Sequence, residues 1–477
     1  MDSFVTIFVF FFFISIFLWI GVLATKVSAD TDTDYLLGGR SFGKYFVGLS
    51  AGATTNSGWI MVGVVGMAYS MGVSAFLMLI ATFLGQLTFW TFFPAKVNRI
   101  SIKRNAQTIP EFLGAAIEAP SGKRIITIIV ALITIVFLGA YTAAQFSAAA
   151  KTLDVFFGVE TFLGVIITAG VVLTYSVTGG IRASIWTDVL QAFVVVFVSI
   201  GMLGAVFLSS GGVSEIVSGL ERIDPRLTDI TAIGLNGWFS VAYMVGFFFL
   251  GFGAGISQPH VLVRLLAGRN PEEVKQAKWI FLAYVYSTWA AMILFGMTCR
   301  VLIPDISDPE QALPLYAIRN FHPVFAGIVL AGVFSIIAST ADSLLLVCSS
   351  ALARDISPIL HRKMSNRYGV RYEQSMTLLV GILTVIITLT ISGTVFSVIL
   401  FAVGAVASSL GPAMLITLTE RRTHYIALSM AMLTGLITAI LWRMMGYSEI
   451  VYEIFPGFIT ALSVHELVMI GFFSGKR

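Results

Sequence analysis

Charged residues are nearly absent from one apolar run after another in this chain, and this pattern limits its possible folds more than any motif does. The runs are about 20 residues long, which is the length that a helix needs to cross roughly 30 Å of hydrocarbon. Of the 477 residues, 57% are hydrophobic and only 11% are charged, whereas a soluble domain carries about 25% charged residues. The sequence therefore predicts an all-α polytopic membrane protein.

Apolar runs bounded by charge predict about 13 transmembrane helices. Their approximate bounds are 3–25, 44–70, 72–95, 125–150, 158–178, 183–209, 237–263, 279–303, 322–350, 374–392, 394–418, 423–442 and 450–474. The first run could instead be a signal peptide, because Val27, Ser28 and Ala29 form a small-residue cleavage site. Residues 1–8 contain no basic residue, which favours an uncleaved helix.

The basic residues predict the orientation of the chain. With the amino terminus outside, all but six of the 29 Lys and Arg residues fall on the inside, and Arg264 is counted among the inner ones. Short cytoplasmic loops carry such an excess, so we expect a multi-pass protein of the cell membrane whose carboxyl terminus is cytoplasmic. These loops face the lipid bilayer and do not indicate a nucleic-acid partner. The oligomeric state stays open.

Two of the predicted helices are interrupted by glycine and polar residues, in LSAGATTNSGW (49–59) and GFGAGISQPH (251–260). Glycines that merely permit close helix packing are one interpretation. However, each interruption begins a set of five helices, 44–209 and 237–418. Because five is odd, the second set enters from the opposite side, and such inverted repeats place a binding site between their broken helices. Residues 1–43 would add one helix and a loop, and 423–477 two helices.

The first interruption contains groups that suit a cation. Unwinding between Ala53 and Gly58 would free main-chain carbonyl oxygens, which are natural ligands for a hard cation such as Na⁺. Nearby hydroxyl and amide oxygens are neutral ligands for an ion or for a polar solute. Trp59 is either a wall of this site or a lipid-facing side chain.

Three further residues have two interpretations each. Asp342 shares a helix face with Ser335, Ser339 and Ser343, and it is either functional, as intramembrane carboxylates usually are, or placed at a solvated helix end. Asp188 either pairs with Arg182 or a hydroxyl, or faces Asp342 in a cation or proton relay. His260 is either a structural hydrogen-bond donor or a proton carrier.

Several blocks of this sequence resemble the sodium:solute symporter family, and its sodium/proline symporter branch in particular. They are GGRSFGK, LSAGATTNSGW, SIWTDVLQA, ISQPHVLVR, STADSLLLVCSSALARDI and VYEIFPGF, and they extend from the first apolar run to the last. The resemblance implies a leucine-transporter-like core of five plus five helices, with Na⁺ as the coupling ion.

The resemblance also implies positions for ion and solute. The Na⁺ ligands would be the carbonyls of Ala53, Asn56 and Ile336 and the hydroxyls of Ser339 and Thr340. Some members have a second cation site, which would correspond here to Asp188, Ser339, Asp342 and Ser343. The implied solute-binding residues are Thr55, Ser57, Trp59, Tyr141, Gly255, Gln258 and Pro259. Proline-transporting members carry aspartate in place of Thr55 and aromatic residues in place of Gly251 and Gly255, which predicts a roomier cavity here.

These observations predict a secondary active transporter that carries a small organic solute, such as the amino acid proline, into the cell together with Na⁺ by alternating access. The alternatives are a proton-coupled symporter of another solute or carboxylate, and a channel. A channel would need a continuous polar pore, whereas the polar residues gather at the interruptions. An enzyme would need a nucleophile and a base within reach, and no such motif is apparent.

Overall fold

The computed structural model describes residues 2–27, 31–231, 237–360, 369–390 and 393–474, and these are almost entirely helical. The first helices are α1 (Asp2–Val27), α2 (Asp32–Leu37), α3 (Lys44–Gly58), α4 (Val65–Met71), α5 (Ala75–Phe92), α6 (Pro94–Arg104), α7 (Ile109–Gly114), α8 (Pro120–Phe157) and α9 (Thr161–Ser209). The next are α10 (Val213–Ile223), α11 (Trp238–Ser257), α12 (Pro259–Ala267), α13 (Pro271–Leu302), α14 (Ala312–Asn320), α15 (Pro323–Ser350) and α16 (Ser357–Leu360). The last are α17 (Gly369–Thr390), α18 (Val395–Leu418), α19 (Tyr425–Met444) and α20 (Ile454–Ser474).

Within the described residues, 11 helical stretches are long and apolar enough to cross a membrane. One of them, Lys44–Phe92, is 49 residues long, or roughly 70 Å, and it contains two predicted crossings. They separate at Gly72, whose φ of 61° suits glycine. Helix α9 likewise contains two, which meet at Gly180 with φ 56°; its first part is the shorter apolar helix Thr161–Thr174. The predicted all-α polytopic fold is confirmed.

The first helix is part of the packed bundle. The Thr6 hydroxyl donates a hydrogen bond of 3.1 Å to the carbonyl of Pro323 at the start of α15. Further along, the rings of Phe10 and Phe334 meet edge to face at 5.2 Å. The apolar face of α1 therefore packs against α15. Of the small-residue cleavage site considered above, Ser28 and Ala29 lie outside the described residues.

The first predicted break is present and centres on Ser57. This residue has φ 52° and ψ 178°, a conformation that a residue with a side chain adopts only when its surroundings enforce it. A π-helical turn, Trp59–Val64, follows and leads into α4. Such turns often occur at functional sites.

The second predicted break separates α11 from α12. Gln258 is extended, with φ −73° and ψ 108°, and Pro259 occupies the first position of α12. Proline has no N–H group and fits the first turn of a helix without loss of a hydrogen bond. This break therefore results from the sequence order Gln-Pro, not from the glycines before it.

The segment between α2 and α3 is fastened to the far end of α12. Phe42 and Gly268 form an isolated parallel bridge, in which the N–H of Arg269 donates to the carbonyl of Phe42 at 2.8 Å. The Arg40 guanidinium donates to the carbonyls of Leu266 at 2.9 Å and Ala106 at 2.8 Å. We call residues 38–43 the strap. It holds α12 against α6 at the edge of the bundle.

Candidate functional site

The two breaks meet at a cavity in the middle of the bundle. Thr55 and Trp59 reach it from the first break, Gln258 and His260 from the second, and Tyr141 from α8. Of the sequence-predicted solute residues, Thr55, Trp59, Tyr141 and Gln258 thus line one space. The sequence did not indicate the other walls, which include Thr82, Gln86, Gly251, Tyr286, Trp289 and Val403.

This cavity is mostly apolar, with a few polar side chains and no charged one among the described residues that line it. Four buried polar atoms of residues that line it have no hydrogen-bond partner within the described structure: Nε1 of Trp59, Oε1 of Gln86, Oε1 of Gln258 and Nδ1 of His260. An unpaired buried polar atom costs about 1–3 kcal/mol, so a solute that pairs with these atoms gains free energy. The arrangement suits a small solute that carries no net charge and has both donors and acceptors.

Trp59 forms an aromatic wall of the cavity. Its ring stacks on Phe396 with centroids 5.7 Å apart and meets Trp289 edge to face at 4.7 Å. Only 6% of the residue is exposed, so the alternative that it faces lipid is wrong. Ser57 does not reach the cavity wall itself; its hydroxyl lies between the Tyr141 side chain and the N–H of Trp59.

Two side chains that the sequence did not single out stabilise the first break. Oε1 of Gln145 accepts a hydrogen bond of 2.8 Å from the N–H of Gly58, directly after the kink at Ser57. The Asn56 side chain donates to Thr288 at 2.9 Å and accepts from Trp289 at 2.8 Å. The Asn56 amide is therefore used in packing α3 against α13. The predicted ion ligand, its main-chain carbonyl, also accepts from the N–H of Trp59.

The predicted Na⁺ ligands belong to the first break and to α15, and one hydrogen bond joins these two elements. The Thr340 hydroxyl lies 3.3 Å from the carbonyl of Thr54, so the two ligand-bearing segments are in direct contact. Ala53, Asn56, Ile336, Ser339 and Thr340 are all buried. Neutral oxygens from carbonyls and hydroxyls suit a hard cation of low charge such as Na⁺. Their role as Na⁺ ligands stays a prediction.

A second polar group lies beside these residues and surrounds Arg264. We call Arg264, Asp188, Ser50, Ser184, Ser339 and Ser343 the Arg264 cluster. Nη2 of Arg264 lies 3.2 Å from Oδ2 of Asp188 and donates to Ser184 at 2.8 Å and to Ser343. Its Nε donates to Ser50 at 3.2 Å and its Nη1 to the carbonyl of His260 at 2.8 Å. Asp188 also accepts from Ser50 at 2.6 Å and from Ser339 at 2.5 Å.

The cluster decides several open interpretations. The orientation analysis counted Arg264 as a loop residue, but its side chain is fully buried. An arginine at the end of an apolar run can point into the helix bundle when a buried carboxylate is there to pair with it. The alternative pairing of Asp188 with Arg182 is wrong, since Arg182 pairs with Asp34 at 2.5 Å. Asp188 pairs instead with hydroxyls and with Arg264.

Asp342 lies next to the cluster and is buried, with 2% of its surface exposed. The interpretation of a solvated helix end is therefore wrong. Its carboxyl group contacts the hydroxyls of Ser176 and Ser184 on α9. Because Ser184 also accepts from Arg264, this hydroxyl connects Asp342 to the cluster. Ser335, the remaining member of the predicted stripe, bonds back to the carbonyl of Ala331 in its own helix.

Gly255 and Pro259, two further predicted solute residues, do not line the central cavity. Gly255 packs on α5, where an added Cβ would lie 2.6 Å from the Phe89 ring. Gly251 borders the cavity, yet its own Cβ position is filled by the Thr82 backbone, 2.2 Å away. The glycines thus permit close packing of α11 on α5, and the predicted extra room is absent. Pro259 lines a separate small cavity with Tyr35, Thr108 and Val263.

Comparison with known proteins agrees with this architecture. Residues 35–435 match the family model for the sodium:solute symporter family. The osmoregulated proline transporter OpuE of Bacillus subtilis is 28% identical over 456 residues, which cover 93% of this chain and 90% of that protein. The sodium/proline symporter of Escherichia coli is also 28% identical, over 452 residues, covering 92% and 88%.

Solved structures show the same fold at lower identity. A Na⁺-coupled sialic acid symporter in a substrate-bound outward-open state matches with a TM-score of 0.81 and 18% identity, over 97% of this chain and 96% of that one. The nucleobase–cation symporter Mhp1 in a closed conformation matches with a TM-score of 0.58 and 13% identity, over 91% and 94%. The predicted leucine-transporter-like fold is confirmed by these neighbours. The chain belongs to the sodium:solute symporter family, and it is a multi-pass membrane transporter with Na⁺ as its coupling ion, not an enzyme.

Proposed function

We propose that this protein carries a small zwitterionic amino acid, with proline as the first candidate, into the cell together with Na⁺. The observation that carries the proposal is the uncharged cavity between the two helix breaks, with the predicted Na⁺ ligands beside it. Relatives that are 28% identical over most of the chain are proline transporters. This likeness supports the same class of solute here.

The cavity chemistry fits such a solute. A zwitterion has no net charge, but its ammonium and carboxylate groups each lose hydration in a buried site and need hydrogen-bond partners there. The unpaired oxygens of Gln86 and Gln258 can accept from an ammonium or imino group, and Nε1 of Trp59 can donate to a carboxylate. The Trp59 and Tyr141 rings provide apolar surface for the solute's carbons. Thr55, in place of an aspartate, keeps this wall neutral.

The proposed ion ligands are the carbonyls of Ala53, Asn56 and Ile336 and the hydroxyls of Ser339 and Thr340. They belong to the first break and to α15, so bound Na⁺ joins these two elements. Such an ion stabilises the conformation in which the break is ordered, and the solute binds the same conformation. Ion and solute then raise each other's affinity by the same factor.

The direction of transport follows from the orientation of the chain. We infer an external amino terminus and a cytoplasmic carboxyl terminus from the basic residues of the loops. The two repeats, 44–209 and 237–418, would move relative to each other around the cavity. At a membrane potential of roughly −100 mV, one entering charge contributes about 2.3 kcal/mol, which is near fifty-fold accumulation per Na⁺.

The experiment is uptake of radiolabelled proline into proteoliposomes that contain the purified protein. An inward Na⁺ gradient is compared with an equal K⁺ gradient at fixed pH on both sides. Unlabelled amino acids and organic acids are added as competitors. Saturable uptake that needs Na⁺ and is displaced by proline is the expected result.

Other results would change specific parts of the proposal. Na⁺-dependent uptake of a competitor in place of proline would replace the solute while retaining the ion. Uptake that follows a proton gradient and ignores Na⁺ would contradict the ion assignment. Flux that rises without saturation would favour a channel.

A further inference from the structure

Two neighbouring cavities lie at the end of the bundle that we propose faces the cytoplasm, away from the central cavity. The larger, of about 480 Å³, lies between the ends of α6 and α18, the start of α19 and the segment that joins α7 to α8. The smaller, of about 400 Å³, lies between α6, the start of α8 and the residues after α15. Arg104 lines both cavities. Their described lining includes seven Lys and Arg residues, which we call the basic groove: Lys103, Arg104, Lys123, Arg124, Arg354, Arg421 and Arg422.

The basic groove carries an excess of positive charge. Its seven basic residues face four acidic residues in the lining of the same cavities: Glu111, Glu118, Asp355 and Glu420. Of these acids, Glu420 pairs with Lys103 at 3.8 Å, and both side chains are largely exposed. Lys123, Arg421 and Arg422 form no ion pair with any described residue. Three positive charges around the cavities therefore lack a counter-charge from the described part of the chain.

The start of α8 adds to this positive potential. Its N-cap residue, Ala119, offers no side-chain acceptor, and its first turn contains no acidic residue. Lys123 and Arg124 lie at the end of that turn, close to the N–H groups that give the start of a helix its partial positive charge. Acidic side chains or bound anions normally stabilise this end of a helix. The arrangement therefore favours an anion in the groove.

Arg104 is held in a fixed position between the two cavities. Its Nη1 donates a hydrogen bond of 3.2 Å to the carbonyl of Phe112, and its Cζ lies 5.6 Å from the centroid of the Phe112 ring. An arginine that is already ordered loses less side-chain freedom when a ligand binds. The other N–H groups of its planar guanidinium suit the oxygens of a phosphate.

The groove adjoins two helices with exposed apolar faces. Helices α8 and α19 meet at its edge, where an added Cβ on Gly122 would lie 2.7 Å from the Tyr425 side chain, and Tyr425 lines the larger cavity. Further along, each helix exposes two large apolar side chains by 44–59%: Leu132, Val136, Leu433 and Ile437. A soluble anion would contact the groove alone, whereas a phospholipid would also cover this apolar surface.

We propose that the basic groove binds the phosphate of an anionic phospholipid, whose acyl chains lie against α8 and α19. Arg104 and the start of α8 hold the phosphate, and Lys123, Arg421 and Arg422 supply further positive charge. Basic pockets between transmembrane helices on the cytoplasmic side bind lipid headgroups in this way. The excess of basic residues in cytoplasmic loops explains their number. It does not explain why they surround two cavities with an ordered arginine between them.

The test is a titration of the delipidated full-length protein in neutral detergent, in which native mass spectrometry counts the bound lipid. Dioctanoyl phosphatidylglycerol is compared with dioctanoyl phosphatidylcholine, which has the same chains but no net charge. We expect saturable binding of phosphatidylglycerol that is roughly tenfold tighter than that of phosphatidylcholine. Glycerol phosphate, which has no acyl chains, should not displace the bound lipid at equal concentration.

A paired variant locates the site. Arg421→Ala combined with Arg422→Ala removes two positive charges from the groove and should weaken phosphatidylglycerol binding about thirtyfold, since each basic residue near an anionic lipid contributes about fivefold. Lys96→Ala combined with Arg99→Ala is the matched control. These two basic residues are also exposed and belong to α6, but they line neither cavity. The control should bind as the wild type does, and thermal unfolding in detergent verifies that both variants are folded.

The wild-type titration can overturn the proposal without any variant, because equal affinity for the two lipids would exclude a site for an anionic headgroup. Unchanged binding in the Arg421 and Arg422 variant, or an equal loss in the control, would overturn it as well. Displacement of the lipid by an equal concentration of glycerol phosphate would mean that the groove binds a soluble phosphate compound instead. The titration contains neither Na⁺ nor proline, so none of these results affects the proposed symport.

Discussion

The central cavity and the Arg264 cluster lie on either side of the second helix break, and they bury polar groups in opposite ways. The cluster is charged, and the three guanidinium nitrogens and both carboxylate oxygens all have partners. The cavity has no charged residue in its described lining, yet four buried polar atoms of its lining residues have no partner. Unpaired atoms are costly until a ligand binds. The difference fits the proposal that the cavity receives a solute, whereas the cluster connects helices.

The largest expected effect comes from breaking the cluster. Asp188→Asn leaves the buried Arg264 without its counter-charge, which should cost about 3–5 kcal/mol of stability and abolish transport. Thermal unfolding in detergent measures the loss. Asp224→Asn is the matched control, because Asp224 and Arg226 form an ion pair at the surface, where pairing stabilises little. Equal unfolding temperatures for Asp188→Asn and wild type would mean that the cluster is not a fixed ion pair.

The next largest effect is expected at Gly255, where α11 packs on α5. Gly255→Ala should destabilise the protein by about 1–3 kcal/mol, because the new methyl group overpacks against the Phe89 ring. Solute preference should stay the same, since Gly255 packs on α5. Gly139→Ala is the control, as nothing lies within 4 Å of its Cβ position. A change of preference at unchanged stability would return Gly255 to the cavity.

A smaller effect is expected at the proposed Na⁺ site. Thr340→Ala removes one proposed Na⁺ ligand and should raise the Na⁺ concentration for half-maximal uptake about tenfold, which corresponds to 1.4 kcal/mol. The maximal rate should fall less. Thr434→Ala is the control, because that hydroxyl bonds to the Met430 carbonyl in its own helix. An unchanged Na⁺ requirement in Thr340→Ala would contradict the ion site.

The smallest effect tests a single donor in the cavity. Trp59→Phe retains an aromatic ring and removes Nε1, so binding of the solute should weaken by about 0.5–1.5 kcal/mol, up to roughly tenfold. Competition against labelled proline measures the change. Trp90 also has an unpartnered Nε1, but it stacks on Phe281 away from the cavity. If Trp90→Phe weakens binding as much as Trp59→Phe does, the effect is not local.

Hydropathy and the paired breaks were enough to predict the fold. Uncharged runs of membrane length determine the helices, and Gln258–Pro259 marks a break that is visible in the sequence alone. The supports of the first break were not predictable, because Gln145 is 87 residues from its partner Gly58. Such distant contacts form only once the helices pack.

Arg264 shows why the site was harder to predict than the fold. Counting basic residues near the ends of apolar runs treats each one as a loop residue, and this assumption fails when a helix continues into the protein. One hint was present: Asp188 is an isolated acid in an apolar run, and a buried charge requires a partner. The extra room predicted at Gly251 and Gly255 is absent for a related reason. A missing side chain opens space only if no neighbouring helix packs into it.

The strap has a consequence for the speed of the transport cycle. The Phe42–Gly268 bridge and the Arg40 hydrogen bonds hold the end of α12, at the side that we propose faces the cytoplasm. Residues 38–43 touch neither the cavity nor the ion ligands, so they contribute nothing to either affinity. Any step that moves the end of α12 away from α6 has to break these hydrogen bonds first. The strap would therefore slow such a step without changing the affinity for ion or solute.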